Sequence, residues 1–141
     1  MKSHSEILNG LQSNEISAGP VSDFFGLKLI AWEYGVSKYE VWVDEKCYNP
    51  NNTLHGGVIA IIADEAMGSA FFSTLEGKQF STTINMSIQF IRPFQKGKLS
   101  VLGRVTHRGK SIGFLECQIT DVTDGSLIAK ASATYKVVTP R

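Results

Sequence analysis

Hydrophobic residues recur along most of this chain with the spacing typical of β-strands. Residues 27–34 and 37–45 read as two strands joined by a turn at Gly35. Four longer strands are predicted nearer the C-terminus, at residues 80–92, 98–107, 111–122 and 126–139. The connections between these four are short and contain glycine or proline, which favours antiparallel pairing in chain order. The pattern therefore predicts two strands followed by a four-strand meander.

Two other segments have helical character. Residues 3–17 read as a short helix that ends near Gly19-Pro20, because proline does not continue a helix. Residues 58–75 are apolar on nearly every side, which is typical of a buried helix, and Gly77 is expected to end it. An antiparallel sheet wrapped around this one long helix would bury the helix and one sheet face. We therefore predict an α+β fold of this architecture.

Length and composition predict a single domain and indicate no nucleic-acid or membrane partner. The chain of 141 residues fits one domain, which we place at residues 26–141 behind an N-terminal helix and lead-in at residues 1–25. The net charge of +1 creates no field that calls for nucleic acid or a membrane. Cys47 and Cys117 form no disulfide framework, and no segment resembles a signal peptide or a membrane span. We expect a cytoplasmic protein with reduced thiols.

Basic residues are unevenly distributed along the chain. The segment between Glu76 and Glu116 has no acidic residue but contains half of the 14 lysines and arginines. These seven are Lys78, Arg92, Lys96, Lys98, Arg104, Arg108 and Lys110. Phosphate binding and pairing with acids elsewhere in the chain explain this distribution equally well. The segment lacks aromatic residues at a stacking spacing, so nucleic-acid binding is disfavoured.

The start of the long helix is the chemically densest part of the chain. Gly56-Gly57 opens the helix, where free amides can bind an oxygen that becomes negative during acyl transfer. A plain loop-to-helix junction would have the same sequence. Asp64 lies about two turns further on among apolar residues, where an ionised carboxylate is costly unless it is paired or functional. If Asp64 instead lies on a solvated edge of the helix beside Glu65, water hydrates its charge and no pairing or function is needed.

Three further residues are ambiguous when each is taken alone. His55 is either a helix cap or a substrate contact, and Asn49 is either a turn residue or part of a site. Thr83 lies on a strand, and strict alternation puts it on the face opposite to Ile84 and Met86. Only the combination of these residues points to chemistry.

The combination forms an extended motif. Its three parts are Asn49-x5-His55-Gly56-Gly57-x6-Asp64, then Ile88-Gln89-Phe90-Ile91-Arg92-Pro93, then Arg108-Gly109-Lys110-Ser111-x-Gly113. From about Gly26 to Val138 the chain resembles the hotdog-fold acyl-CoA thioesterases, and within them the phenylacetic acid degradation branch. The resemblance implies the hotdog fold and hydrolysis of an acyl-CoA to free acid and CoA. It implies no metal and no cofactor besides the CoA of the substrate.

The resemblance also implies a role for each matching residue. Asp64 acts as base or nucleophile on the thioester carbonyl, and the Gly56 amide polarises that carbonyl. His55 and Asn49 orient the carbonyl, the leaving thiolate or the attacking water, and Thr83 lies near the water. The residues implied in binding substrate and CoA are Gly57, Arg92, Arg108, Lys110 and Ser111. Family members build each site across a homodimer interface, with the acid and the His-Gly pair from different subunits, and many pair dimers into tetramers.

Alternatives to this interpretation remain open. A related branch uses glutamate as the acid, but Glu65 lies about 100° around the helix from the expected place, so we favour Asp64. A hotdog hydratase or dehydratase also uses a histidine and an acid, although at another spacing. An acyl-CoA binding or sensor module without turnover would not need Asp64. Acyl preference depends on pocket depth, which the sequence leaves undetermined.

Overall fold

One six-stranded antiparallel sheet and three α-helices make up the fold in the computed structural model, which describes all residues from Met1 to Arg141. The strands are β1 (Lys28–Glu33), β2 (Val36–Val43), β3 (Phe80–Phe90), β4 (Gly97–Arg108), β5 (Ile112–Asp121) and β6 (Leu127–Val138). The helices are α1 (His4–Gln12), α2 (Pro20–Phe25) and α3 (Gly56–Phe72). The predicted α+β class, with a sheet around one long helix, is confirmed. No helix combines the length and the hydrophobicity needed to span a lipid bilayer.

The strand order differs from the predicted meander in one place. The order is β1-β2-β4-β5-β6-β3, so β3 pairs with β6 and not with its successor β4. The six residues between β3 and β4 can span about 20 Å, and three inter-strand steps require only about 14 Å. Within this connection the amides of Ile91 and Arg92 donate to Ile128 O, and buried Phe94 accepts from the Leu54 amide at 2.7 Å. Because Phe94 is buried in the core, the connection runs past β6 and β5 to reach β4 and does not form the expected hairpin.

Helix α3 lies directly on the sheet because its contact surface is built from small side chains. Ala63, Ala66 and Ala70 are fully buried. The backbone of Ala66 is so close to β4 that a Cβ on Gly103 would lie 2.5 Å from the Ala66 carbonyl oxygen. The Ser37 hydroxyl of β2 donates to that same oxygen at 2.5 Å. These contacts fix both the depth and the rotation of α3.

The long helix ends three residues before its predicted end. Ser73 and Thr74 donate their hydroxyls to the carbonyl oxygens of Ala70 and Phe71, each at 2.6 Å. Side-chain donors thus satisfy the last carbonyls, and the chain leaves the helix there. Gly77 adopts a left-handed conformation (φ 56°) in the turn that follows and does not cap the helix itself.

The N-terminal segment contains two helices where one was predicted. Helix α1 ends at Gln12, and the chain then turns back through Asn14, which has a left-handed φ of 65°. Pro20 begins α2 at its first helical position, where a missing N–H costs nothing. The interpretation of Pro20 as a stop was therefore wrong, because the same residue favours the start of the next helix.

We predict that Gly103→Ala lowers the free energy of unfolding by about 2–3 kcal/mol, as expected when backbone must shift to admit a methyl group. The added Cβ would lie 2.5 Å from Ala66 O and 2.9 Å from the Met67 amide nitrogen, neither of which can rotate away. Urea denaturation measures the change. Gly68→Ala is the matched control, because its Cβ would meet nothing closer than 3.7 Å. Equal stability of the Gly103 variant and the wild type would contradict the close seating of α3.

Candidate active site

Two hydroxyl groups hold the carboxylate of Asp64, which is half-buried in the middle of α3. Thr83 on β3 donates its hydroxyl to Oδ1 at 2.8 Å. The Tyr135 hydroxyl on β6 contacts Oδ1 as well and lies 2.8 Å from the Asp64 carbonyl oxygen. Because both contacts to the carboxylate are made to Oδ1, Oδ2 is the oxygen left without a protein donor. The structure thus brings the predicted residues Asp64 and Thr83 together.

A β-bulge determines which side chains of β3 face the helix. Thr83 pairs with Tyr135, but Asn85 pairs with Thr134, so Ile84 is an extra residue in the ladder. Before the bulge, Thr83 faces the cavity beside α3; after it, Met86 packs against the core. The predicted strict alternation was wrong here, since the extra residue exchanges the two faces. Ile84 is 50% exposed as a result.

Tyr135 is a site residue that the sequence did not reveal. It lies on the buried face of β6 and packs on the Phe71 ring, with centroids 5.7 Å apart. Burial, together with the hydrogen bond and the charge of Asp64, raises the pKa of Tyr135 well above its usual value. Its hydroxyl therefore remains a donor at neutral pH. A tyrosine at a core-facing position of a strand normally reads as packing, and the only available signal was its hydroxyl in an otherwise apolar series.

Glu65 occupies the other side of the same cavity. The Tyr39 hydroxyl, which bonds to Ser69 at 2.6 Å, lies 3.5 Å from Glu65 Oε1. Burial and the nearby charge of Asp64 raise the pKa of Glu65, while hydrogen bonds from Ser22 and Tyr39 lower it, and the net direction is upward. Glu65 thus belongs to a hydrogen-bond network separate from that of Asp64.

The N-terminus of α3 presents one free amide. The Gly57 amide donates to His55 Nδ1 at 2.8 Å, and the amides of Val58 and Ile59 donate to the His55 carbonyl. The Gly56 amide has no acceptor. The structure therefore separates the two predicted glycines, because Gly57 is engaged by the cap and Gly56 alone can bind an oxygen. Since Nδ1 of His55 accepts, its exposed Nε2 carries the proton and can donate.

Asn49 lies near this helix start and organises the loop before it. Its side-chain oxygen accepts from the amides of Asn51 at 2.9 Å and Thr53 at 3.2 Å, which is the behaviour of a turn residue. Asn49 also lines a hollow of about 310 Å³ together with Phe90 and Arg92. The ring of Phe90 would lie 3.2 Å from a Cβ on Gly56. Asn49, Arg92 and the free amide are thus neighbours.

A single chain keeps these two groups of residues apart. Gly56 and Asp64 are eight residues apart on α3, which corresponds to about 12 Å along the helix axis. An oxygen bound at the Gly56 amide therefore cannot belong to a carbonyl within bonding distance of Asp64 in the same chain. Within one chain, these two groups therefore do not meet.

The basic turn after β4 contributes to the structure in a way that was not predicted. Arg108 Nε donates to Thr74 Oγ1 at 2.9 Å, and the guanidinium lies 5.2 Å from the centroid of the Phe71 ring. This cation packs against the C-terminal end of α3, where positive charge is favourable. Lys110 and Ser111 are exposed on the same turn.

Most of the basic segment has no acidic partner. Of its seven cations only Lys98 forms an ion pair, with Glu40 at 3.7 Å. Pairing with acids elsewhere in the chain therefore accounts for Lys98, and packing on Thr74 and Phe71 accounts for Arg108. Arg92 and Lys110 are both exposed.

The family of the chain can be identified from its relatives. A family model described as the thioesterase superfamily matches residues 51–128, more than half of the 141 residues. The chain belongs to the thioesterase superfamily. This segment of the thioesterase includes the free Gly56 amide, Asp64 and the bulge at Ile84. The hotdog fold and the thioester hydrolase class predicted from the motif are confirmed.

Individual relatives agree with this assignment. The thioesterase is 31% identical over 137 residues to a Saccharolobus solfataricus protein with a provisional esterase name, covering 97% of this chain and 87% of that one. It is 29% identical over 96 residues to acyl-coenzyme A thioesterase 13 of Mus musculus, covering 67% and 68%. In fold it is similar to the Escherichia coli PaaI protein of the phenylacetic acid degradation operon, with a TM-score of 0.84, 20% identity and 97% of each chain covered.

We predict that Tyr135→Phe lowers kcat/KM for thioester hydrolysis about 10- to 100-fold, because a loosely held carboxylate is misplaced for reaction. Thiol-release kinetics measure the effect.

Tyr39→Phe provides the matched control for this prediction. It removes an equally buried hydroxyl that bonds to Ser69 and makes no contact with Asp64. Its kcat/KM, measured per folded protein, should remain close to the wild-type value. An unchanged kcat/KM in Tyr135→Phe would show that Tyr135 is only a packing residue.

Proposed function

We propose that the protein is an acyl-CoA thioesterase that hydrolyses acyl-CoA to a free acid and CoA at a site shared by two copies of the chain. The observation that carries this proposal is the pairing of unused groups on α3. Asp64 Oδ2 lacks a donor, and the Gly56 amide lacks an acceptor. These are the reactive carboxylate and the oxyanion donor that acyl transfer requires.

Each group has a defined task in the reaction. The thioester carbonyl oxygen accepts a hydrogen bond from the Gly56 amide, which stabilises the negative charge that develops on it. Asp64 Oδ2 either attacks the carbonyl carbon or takes a proton from the water that attacks it. The tetrahedral intermediate then collapses, the C–S bond breaks and the CoA thiolate leaves with the pair of electrons. If Asp64 is the nucleophile, water then hydrolyses the resulting mixed anhydride to the free acid and regenerates the carboxylate. His55 Nε2–H is available to orient the carbonyl or the thiolate.

The exposed strand β3 supports the pairing of two copies. It forms an edge of the sheet and pairs on one side only, with β6. Ile84 and Phe90, 50% and 60% exposed, place apolar surface there. Thr83 touches Asp64 and Phe90 approaches Gly56, so both half-sites lie along β3. In an isologous, antiparallel contact between two β3 strands, Asp64 of one chain would lie next to Gly56 of the other chain. Pairing of such dimers into tetramers stays a prediction.

The CoA part of the substrate is supported by charge. Arg92 and Lys110 are exposed cations without a carboxylate partner, and CoA carries phosphates. The Mus musculus relative named an acyl-coenzyme A thioesterase points to the same substrate class. We also propose a cytoplasmic location, which agrees with the free, buried thiols of Cys47 and Cys117.

We predict that Gly56→Pro lowers kcat by about 10²- to 10³-fold, the usual effect of losing one oxyanion donor. Proline removes the free N–H but suits the first position of a helix, and His55 already has the extended backbone (ψ 134°) that precedes proline. Gly56→Ala is the matched control, because it adds a comparable Cβ next to Phe90 and keeps the N–H. A similar loss in both variants would argue against the amide as the oxyanion donor.

We predict that Asp64→Asn lowers kcat by about 10²- to 10⁴-fold with the fold intact, as expected for loss of a positioned base. The same variant tests whether the site is shared. In a hybrid dimer of Asp64→Asn and Gly56→Pro chains, one site carries both substitutions and the other is wild type, so about half of wild-type activity should return. Co-expression with two affinity tags isolates the hybrid. An inactive hybrid would overturn the shared site, and no thiol release by the wild type with any acyl-CoA would overturn the thioesterase proposal.

A further inference from the structure

We propose that α1 and the turn after it form the end wall of the acyl-binding pocket, so that Leu11 and Ile16 limit the length of the acyl group. This inference rests on the proposed function, because it assumes that the thioester carbonyl is held at Asp64. The wall belongs to the same chain that supplies Asp64 to the shared site. The substrate class it implies is an acyl group with an uncharged, apolar end.

A cavity of about 420 Å³ connects Asp64 to the N-terminal helix. Polar groups line its inner end, namely Asp64, Thr83 and Tyr135. Apolar side chains line the end nearer α1, namely Ile7, Leu11, Ile16 and Phe72. A volume of this size lies in the range of small-ligand pockets. An acyl group whose carbonyl meets Asp64 would thus direct its tail towards α1.

The wall is firmly docked on the domain. Leu8 on the inner face of α1 is fully buried. The His4 ring nitrogen lies 2.9 Å from the Gln79 carbonyl oxygen, and at the other end of the helix Trp32 Nε1 donates to Asn9 Oδ1 at 3.0 Å. Because α1 is held at both ends and along its inner face, it can act as a rigid boundary to a substrate.

Gly10 allows the chain to return over α1 and place Ile16 in the wall. The amides of Glu15 and Ile16 both donate to the Gly10 carbonyl, at 2.9 and 3.1 Å. A Cβ on Gly10 would lie 2.4 Å from Ile16 Cδ1. The buried glycine therefore accommodates a side chain that lines the cavity.

The charge around the cavity narrows the substrate class further. Asp64 and Glu65 both line it, and no basic residue does. A second carboxylate at the end of the acyl chain would be repelled by these two acids as the substrate binds. Once bound, it would lie among the apolar side chains of Ile7, Leu11 and Phe72. Burial of an unpaired charge is costly. The cavity thus suits monocarboxylic acyl groups, either alkyl or aryl.

Substitutions that change the depth of the cavity test the inference in opposite directions. Ile16→Ala should move the optimum of kcat/KM to longer chains in a series of straight-chain acyl-CoAs, with about tenfold gain for the first chains beyond the wild-type limit. Ala18→Leu, on the exposed side of the same wall, should move the optimum to shorter chains. Val21→Ala is the control, because Val21 is 55% exposed and lies outside the cavity.

The outcomes separate this inference from the proposed function. If the wild type hydrolyses acyl-CoAs and both variants keep its order of chain lengths, the wall assignment is wrong and the thioesterase proposal stands. If the wild type hydrolyses none of the series, the proposed function fails and the wall assignment with it. Should Ile16→Ala fold poorly in thermal unfolding, Ala18→Leu decides alone, since it removes no buried group. Shifts in opposite directions with an unchanged Val21→Ala profile establish the wall.

Discussion

The seating of α3 on the sheet at Ala66 is the contact on which the rest of the structure depends. A glycine on β4 and a hydroxyl on β2 meet the backbone of one helical turn, so the helix lies at backbone distance from the strands. At this distance the helix cannot rotate or slide without a clash or a lost hydrogen bond. Asp64, half a turn before Ala66, is thereby turned away from β2 and β4 and towards β3 and β6, where Thr83 and Tyr135 receive it.

The same helix explains why the proposed site needs a second copy of the chain. Its N-terminal amide and its carboxylate are the two groups to which we assign the reaction, but a rigid α-helix fixes their separation at about 12 Å. A flexible loop could fold one group back onto the other, whereas a helix cannot. We therefore propose a site divided between two chains because the helix that carries both groups is stiff. The edge strand β3 contacts both groups, and it is the surface across which the two chains would meet.

The fold class could be predicted from the sequence because apolar periodicity is a local pattern, which is reliable where strand pairing is regular. Gly56 and Asp64 each had a purely structural interpretation when taken alone, and their predicted roles come from the motif that resembles the thioesterase family. The predictions failed where distant contacts decide. The crossing after β3 depends on the burial of Phe94 against Leu54, and the facing of Thr83 depends on one unpaired residue. Tyr135 acquires its role only because β6 passes beside α3, which no local pattern encodes.

The extra residue at Ile84 shapes the edge of the sheet more than it shapes the contact with Asp64. A strand without it would pair regularly with β6 along its whole length and would remain compatible with the fold. Thr83 and Met86 already face the same side across the bulge, so they would keep that facing, and the Thr83 hydroxyl would still reach Asp64. The deletion would instead remove an apolar side chain that is 50% exposed on an edge strand, so its main consequence would be for what this edge can adhere to.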